Sequence, residues 1–321
     1  MNILVTGGAG FIGSNFIDYV LKNKSDLFSK VVNLDALTYA ADLNNVKEFE
    51  ENEKYFFENV NLCDFNKLLK VFKDHKITHV IHFAAESHVD NSISDPTEFI
   101  QSNIVGTFNL LSISRQLNVK KFHHVSTDEV YGELGESGKF NENTPYDPQN
   151  PYSATKASSD FLVKSYHHTY NLPITISNCC NNYGPRQHSE KFIPTVLRSL
   201  MGGKKIPLYG KGLNIRDWIY VEDHCAGVWE VFESGKLGET YCIGSDCEKR
   251  NVEVIKEICK ILNKDPDSEI EYVTDRAGHD YRYAIDNGKI VNELGWNPKT
   301  TFNEGLKRTI EWYKEYYEKK Y

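Results

Sequence analysis

The sequence predicts a doubly wound α/β fold, in which helices cover both faces of a parallel sheet and a smaller, mixed C-terminal domain packs beside it. Short β-branched or apolar runs alternate with longer amphipathic ones through the first half of the chain, the signature of successive βα units. A glycine-rich turn sits between the first short run and the first amphipathic stretch. Beyond about Tyr183 the pattern loosens into Gly- and Pro-punctuated stretches such as Gly202-Gly203 and Gly210-Lys211-Gly212.

Taken in order, strands are expected near Ile3 to Thr6, Val31 to Leu34, Tyr55 to Glu58, His79 to His82, Phe122 to Ser126 and Ile174 to Asn178. Between them, Ile12 to Lys22, Phe65 to Asp74, Pro96 to Leu117 and Tyr152 to Tyr170 carry apolar residues at helical spacing. Successive strands joined by such helices are parallel, with right-handed crossovers, which makes the sheet Rossmann-type. Residues 1–182, with a returning segment near 213–246, are expected to form this larger domain. Residues 183–212 and 247–321 are expected to form the smaller, substrate-binding one over the sheet's carboxyl edge. Near the end, Phe302, Leu306, Ile310 and Tyr313 share one face of a helix and read as packing.

Composition narrows the function classes. The chain has 321 residues and a formal net charge of -8, from 37 basic and 45 acidic residues. That balance supplies no field to hold nucleic acid or an acidic membrane, so any phosphate must be held locally. Seven cysteines without a CxxC pair indicate reduced thiols in a cytoplasm, with neither a disulfide framework nor a zinc site. The first residues run into glycines without a basic stretch and apolar core, and no later apolar run approaches bilayer length, so neither secretion nor membrane spanning is expected. The pairs His123-His124, His167-His168 and Cys179-Cys180 invite a metal reading. Strand neighbours point to opposite faces and helix neighbours diverge, so no metal is expected.

Gly7, Gly10 and Gly13 form GxxGxxG directly after the first strand and at the mouth of the first helix. Glycines there permit a tight turn, let the backbone approach a pyrophosphate and aim the helix's unbonded N–H groups at it. Asp35, at the tip of the second strand, is placed to accept from both adenosine ribose hydroxyls and would repel a 2′-phosphate. The pair therefore predicts NAD in preference to NADP.

Ser126-Thr127-Asp128-Glu129-Val130-Tyr131-Gly132 follows the fifth strand, so its polar side chains emerge at the carboxyl edge, where ligands of α/β sheets sit. Tyr152 and Lys156 form YxxxK, one turn apart on the next helix. A lysine ammonium beside a tyrosine phenol favours the phenolate, which takes a proton from an alcohol as hydride leaves for NAD.

With GGAGFIG, AAESHVD, STDEVYG, YSATK, NNYGP and DRAGHD in this order, the chain from Gly7 to His279 resembles the dTDP-glucose 4,6-dehydratase family, extended short-chain dehydrogenases acting on nucleotide sugars. The resemblance implies that C4 of the hexose is oxidised, water is eliminated across C5 and C6, and the hydride returns to C6. The product is a 4-keto-6-deoxy sugar, in deoxysugar biosynthesis of the dTDP-rhamnose type, and tightly bound NAD is recycled each turnover. The adjacent Asp128-Glu129 distinguishes this family from its relatives. It implies Glu129 as the base at C5, Asp128 as the protonated acid that releases the C6 oxygen, and Thr127 as the partner of the C4 oxygen, with Tyr152 and Lys156 completing the catalytic set.

The same resemblance assigns Phe11, Ile12, Ala36, Leu37, Thr38, Asn61, Leu62, Phe83, Ala84, Ala85, Glu86, Ser87, Ser102 and Asn182 to the cofactor, beside Gly7, Gly10, Gly13, Asp35, Tyr152 and Lys156. Ser102 stands where relatives often carry threonine and keeps the hydroxyl. The nucleotide sugar, dTDP-glucose, is assigned to Ser87, Thr127, Asn181, Lys191, Phe192, Pro207, Leu208, Tyr209, Arg216, Asn251, Asp275, Arg276, Ala277, Gly278 and His279. Arg216 and Arg276 supply forked donors suited to the diphosphate. Arg186-Gln187-His188-Ser189 departs from the aromatic-containing segment of the family. A homodimer through the helices Pro96 to Leu117 and Tyr152 to Tyr170 is also implied. Competing readings are a nucleotide-sugar 4-epimerase or UDP-glucuronate decarboxylase, against which Asp128-Glu129 argues; a GDP-mannose dehydratase, where a neutral residue is expected before the glutamate; and a noncatalytic NAD(H)-binding sensor, which would lose a catalytic side chain.

Overall fold

The computed structural model describes residues 1–275 and 279–320. In its first half, strands β1 (Asn2–Thr6), β2 (Lys30–Asp35), β3 (Tyr55–Asn59), β4 (His79–His82), β5 (Lys121–Thr127) and β6 (Ile174–Cys179) fall where the apolar runs predict them. The second half adds β7 (Asn181–Tyr183), β8 (Ile206–Tyr209), β9 (Ile215–Tyr220), β10 (Thr240–Ile243), β11 (Glu248–Arg250) and β12 (Ile270–Val273). A seven-stranded sheet has the order β10-β6-β5-β4-β1-β2-β3, with every pairing parallel.

The sequence order reverses between β1 and β4. The strands after β1 step outward to β2 and β3, and the chain then returns to build β4, β5, β6 and β10 on the other side. Such a switch opens a crevice at the carboxyl edge, because the connections on either side leave toward opposite faces. Two apolar clusters fill the faces of this sheet, one including Phe16, Ile17 and Trp229, the other Leu68, Leu110 and Ile174. A third, including Ile193, Leu208, Val254 and Leu306, lies under the smaller sheets β11-β9-β7 and β12-β8. Phe302, Leu306, Ile310 and Tyr313 belong to it, on the helix Phe302–Lys320.

Helices follow the predicted stretches: Phe11–Asn23, Phe65–His75 and Pro151–Tyr170. The last begins with Asn150 accepting from Ser153 N–H while Ser153 answers at the Asn150 N–H, a reciprocal cap, and Pro151 occupies the first turn, where no N–H is needed. Pro96 to Leu117 differs from one regular helix. A π-helical turn, Ile100–Val105, interrupts it before Gly106–Gln116. The wider turn brings Asn103 against the loop after β4. There its amide accepts from Glu86 N–H at 2.9 Å, and donates to Glu86 O at 3.1 Å and Thr155 Oγ1 at 2.9 Å.

His123 and His124 diverge from one strand. His123 meets Thr175 and Ser177 at 2.9 and 3.0 Å, whereas His124 Nε2 lies 3.2 Å from Asp160 on the opposite face. Among the described residues, no helix is long and apolar enough to cross a membrane.

Candidate active site

The glycine turn follows from β1 having to reverse into a helix within a few residues. Gly7 has φ +72°, a left-handed conformation that a side chain strains, and a Cβ there would stand 2.8 Å from Ala84 Cα. A Cβ on Gly13 would stand 2.2 Å from the Gly7 carbonyl oxygen. The two glycines keep open a backbone cradle in front of the first turn of Phe11–Asn23. Asp35 locks it to β2: its buried carboxylate accepts from Ala9 N–H at 2.9 Å and Leu37 N–H at 2.8 Å. Burial pushes the Asp35 carboxyl up, and those two N–H groups pull it back.

At the end of β5, Asn178 of the neighbouring strand donates to the Thr127 carbonyl at 3.0 Å. The chain then turns through a short 3₁₀ segment, Asp128–Tyr131. The Thr127 hydroxyl accepts from Glu129 N–H at 3.3 Å and donates to Asp128 Oδ1 at 3.3 Å, while Asn150 donates to Glu129 Oε2 at 3.4 Å. Asp128 is 2% exposed and its Oδ2 has no hydrogen-bond partner in the protein. Burial pushes its carboxyl well above the usual range; Glu129 and Asp217 add to the rise, and Arg216 and Thr127 oppose it. The site therefore favours the protonated form of Asp128.

Tyr152 and Lys156 are both buried at the start of Pro151–Tyr170. The Tyr152 N–H donates to Ser92 Oγ at 3.2 Å, and Lys156 Nζ donates to the Val125 carbonyl at 2.9 Å. The sequence predicts a phenol lowered by the lysine. Here burial and then the Glu129 charge hold the Tyr152 phenol well above its ordinary value, and the Thr127 hydroxyl pulls the other way. Burial lowers Lys156.

These residues share one cavity of about 310 Å³ along the carboxyl edge. Its wall includes Gly7, Gly10, Phe11, Ile12, Gly13, Asp35, Ala36, Thr38, Asn61 and Leu62, then Phe83 to Ser87 and Ser102. Thr127, Asp128, Glu129, Tyr152, Lys156, Asn181, Asn182 and Lys191 complete it. A protein-family profile described as GDP-mannose 4,6 dehydratase matches residues 4–309. A dTDP-glucose 4,6-dehydratase of Haemophilus influenzae is 47% identical over 98% of this chain and 98% of its own. The present chain belongs to the dTDP-glucose 4,6-dehydratase family.

A crystal structure of that enzyme from Bacillus anthracis, in complex with NAD, is 46% identical, covers 99% of this chain and 98% of its own, and superposes with a TM-score of 0.91. The UDP-glucose 4-epimerase of Thermotoga maritima shares the fold at the same TM-score, 0.91, covering 99% of this chain and 100% of its own, but only 29% of the residues. Shape alone thus does not separate dehydratase from epimerase; the share of identical residues does.

Several assigned residues lie off this wall. Leu37 has φ 54° and is exposed. Phe192 stacks on Trp218 with ring centroids 6.1 Å apart. Leu208 is buried in the third core, while its strand neighbours Pro207 and Tyr209 face out. Arg216 is buried with its fork on the carbonyls of Ile215, Asp280 and Tyr281, at 2.7, 2.9 and 3.3 Å, and its guanidinium 4.3 Å over the Tyr283 ring. Asn251 opens the helix Asn251–Ile261, with its N–H on Asn214 O at 3.0 Å. Asp275 and His279 pair with each other at 2.7 Å. Arg276, Ala277 and Gly278 lie outside the described residues.

The cavity also has walls the sequence did not single out for it. Ala40, Ala41, Val125, Ser126, Cys179, Cys180, Gln187 and His188 line it. The last two belong to the segment that departs from the family pattern, and His188 packs edge-on against Tyr39, ring centroids 5.7 Å apart. The departure itself was the available signal.

Proposed function

We propose that the protein converts dTDP-glucose to dTDP-4-keto-6-deoxyglucose, as a step in deoxysugar biosynthesis of the dTDP-rhamnose type. The observation that carries this is the pairing, in one cavity, of a buried carboxyl raised well above the usual range, Asp128, and its neighbour Glu129 with the Tyr152–Lys156 pair. An alcohol oxidation uses only the second pair. Elimination of water needs an acid and a base besides.

The cavity suits NAD: the cradle at Gly7 and Gly13 admits a pyrophosphate, and Asp35 stands at the ribose position. When bound, NAD would supply the hydride acceptor for C4 and the donor for C6, so none would be consumed. As a phenolate, which the Lys156 ammonium and the cation of bound nicotinamide would favour, Tyr152 would take the C4 hydroxyl proton, with Thr127 bonding the C4 oxygen. Once C4 is a ketone its neighbour C5 is acidic, and Glu129 removes that proton. Asp128 gives its proton to the departing C6 oxygen. Ser87, Asn181 and Lys191 extend the wall toward the nucleotide.

The purified protein should turn dTDP-glucose into a product lighter by one water without added NAD, read by mass spectrometry. Conversion to an isomer of unchanged mass would replace this reading by the epimerase. Gly7→Ala should cost about 1–3 kcal/mol, since it combines left-handed strain with a collision against Ala84. It should also abolish NAD co-purification; thermal melting and cofactor analysis check both.

We also assign the protein to the cytoplasm, which its seven free cysteines suit. It forms a homodimer through Gly106–Gln116 and Pro151–Tyr170, which pack together with Ser112 bonded to Tyr166 at 2.8 Å and each leave a phenylalanine, Phe108 and Phe161, exposed to solvent. Light scattering should give twice the 36.9 kDa chain mass, and Phe108→Glu with Phe161→Glu should halve it. A wild-type monomer refutes the assignment.

A further inference from the structure

The helix that carries Tyr152 and Lys156 places Asp160 on the same stripe, one turn beyond Lys156 and two beyond Tyr152. The proposed reaction gives it no role, yet it is entirely buried. Its Oδ2 accepts from Ser126 Oγ at 2.9 Å, Tyr146 OH at 2.8 Å and Asn178 Nδ2 at 3.5 Å, and its Oδ1 lies 3.2 Å from His124 Nε2. These partners come from β5, β6 and the loop before the helix. Asn178 also holds the Thr127 carbonyl, and Lys156 holds that of Val125. One carboxylate thus joins the strand end bearing Thr127 to the helix bearing Tyr152.

A carboxylate so deeply buried requires a nearby cation. The titratable groups facing it are His124 on β5, with His82 of β4 behind it at a ring separation of 5.2 Å, Tyr131, Tyr146 and, on its own helix, Lys156; Cys179 on β6 faces Lys156, and Lys164 reaches the Tyr146 hydroxyl at 3.5 Å. Burial pulls His124 down to about 4 and His82 well below its ordinary value, and pushes the Cys179 thiol up to about 12. The phenols of Tyr131, Tyr146 and Tyr152 are raised by burial as well. At neutral pH the histidines, the thiol and the phenols are uncharged, which leaves Lys156 as the buried cation of this cluster, with Lys164 at its edge beyond Tyr146. Burial pulls Lys156 down, and Asp160 is the first group that holds it up.

We propose that Asp160 is a positioning residue for the oxidation step: it keeps Lys156 charged and fixes the helix against β5, so that Lys156 acts on the Tyr152 phenol. This rests on reading Tyr152 and Lys156 as the oxidation pair. Asp160→Asn keeps the size and an acceptor for Ser126 and Tyr146 but drops the charge. The alkaline limb of kcat should move down by about one pH unit or more, with KM little changed. Acetylation of Lys156 by acetic anhydride, read by mass spectrometry across pH without turnover, should shift the same way. Tyr146→Phe removes the hydrogen bonds of the hydroxyl to Asp160 and from Lys164 and keeps the Asp160 charge, so neither curve should move. If Asp160→Asn does not fold, Asp160→Glu must hold both curves in place. Curves unmoved in Asp160→Asn, or displaced in Asp160→Glu, overturn the proposal. A wild type that turns over no dTDP-glucose defeats the function first, and the acetylation curve still decides whether Asp160 holds Lys156 charged.

Discussion

Replacing Asp128 with Asn is expected to lower kcat by about 10²–10⁴-fold, the range lost with a positioned proton donor, while C5 of the sugar keeps exchanging its hydrogen with solvent. Asparagine cannot give a proton to the C6 oxygen, so the C5 carbanion formed by Glu129 has only the return path. In deuterated water the recovered dTDP-glucose should therefore gain deuterium at C5. Stability gives an independent check with a definite sign. The Asp128 carboxyl is raised by burial first, so folding favours its protonated form. Its contribution is full below the ordinary carboxylate pKa and is lost as pH rises toward the elevated folded value. The Asn variant has no such loss, so its melting temperature should gain on the wild type as pH is raised through that window. An unchanged kcat would remove Asp128 from the role of acid.

What made the fold legible was period. Six strands and the helices between them follow from runs such as Val31 to Leu34 and Phe65 to Asp74, because each element's apolar pattern is local. The seventh strand, Thr240–Ile243, joins β6 from far along the chain, and its four residues carry no signal of which edge they complete. The π-helical turn at Ile100–Val105 is likewise set by a distant partner, the Asn103 amide bridging Glu86 and Thr155.

The candidate site divides in the same way. The glycine turn, Asp35, the end of β5 and YxxxK were readable because each sits at a fixed place in a βα unit. Arg216 was not, because only folding brings the Asp280 and Tyr281 carbonyls to its fork. Leu208 alternates inward on a strand whose neighbours Pro207 and Tyr209 point out, and that phase depends on which sheet it joins. The elevated phenol of Tyr152 had no sequence signal either, since YxxxK reports the lysine and not the Glu129 that faces the ring.

Tyr152→Phe is expected to lower kcat by about 10²–10⁴-fold as well, but at an earlier step, and solvent deuterium separates the two variants. Without the phenol, the C4 hydroxyl proton has no acceptor, C4 is not oxidised and C5 never becomes acidic. Recovered dTDP-glucose should then carry no deuterium, in contrast to the Asp128→Asn result. The substitution removes one oxygen from a side chain whose ring packs near Phe99, centroids 6.4 Å apart, and whose N–H, not its hydroxyl, bonds Ser92. The fold and KM should change little, and the loss should appear in kcat. Deuterium found at C5 in the Phe variant would mean that another group takes the C4 proton; Thr127, whose hydroxyl lies on the same cavity wall, is the residue to replace next.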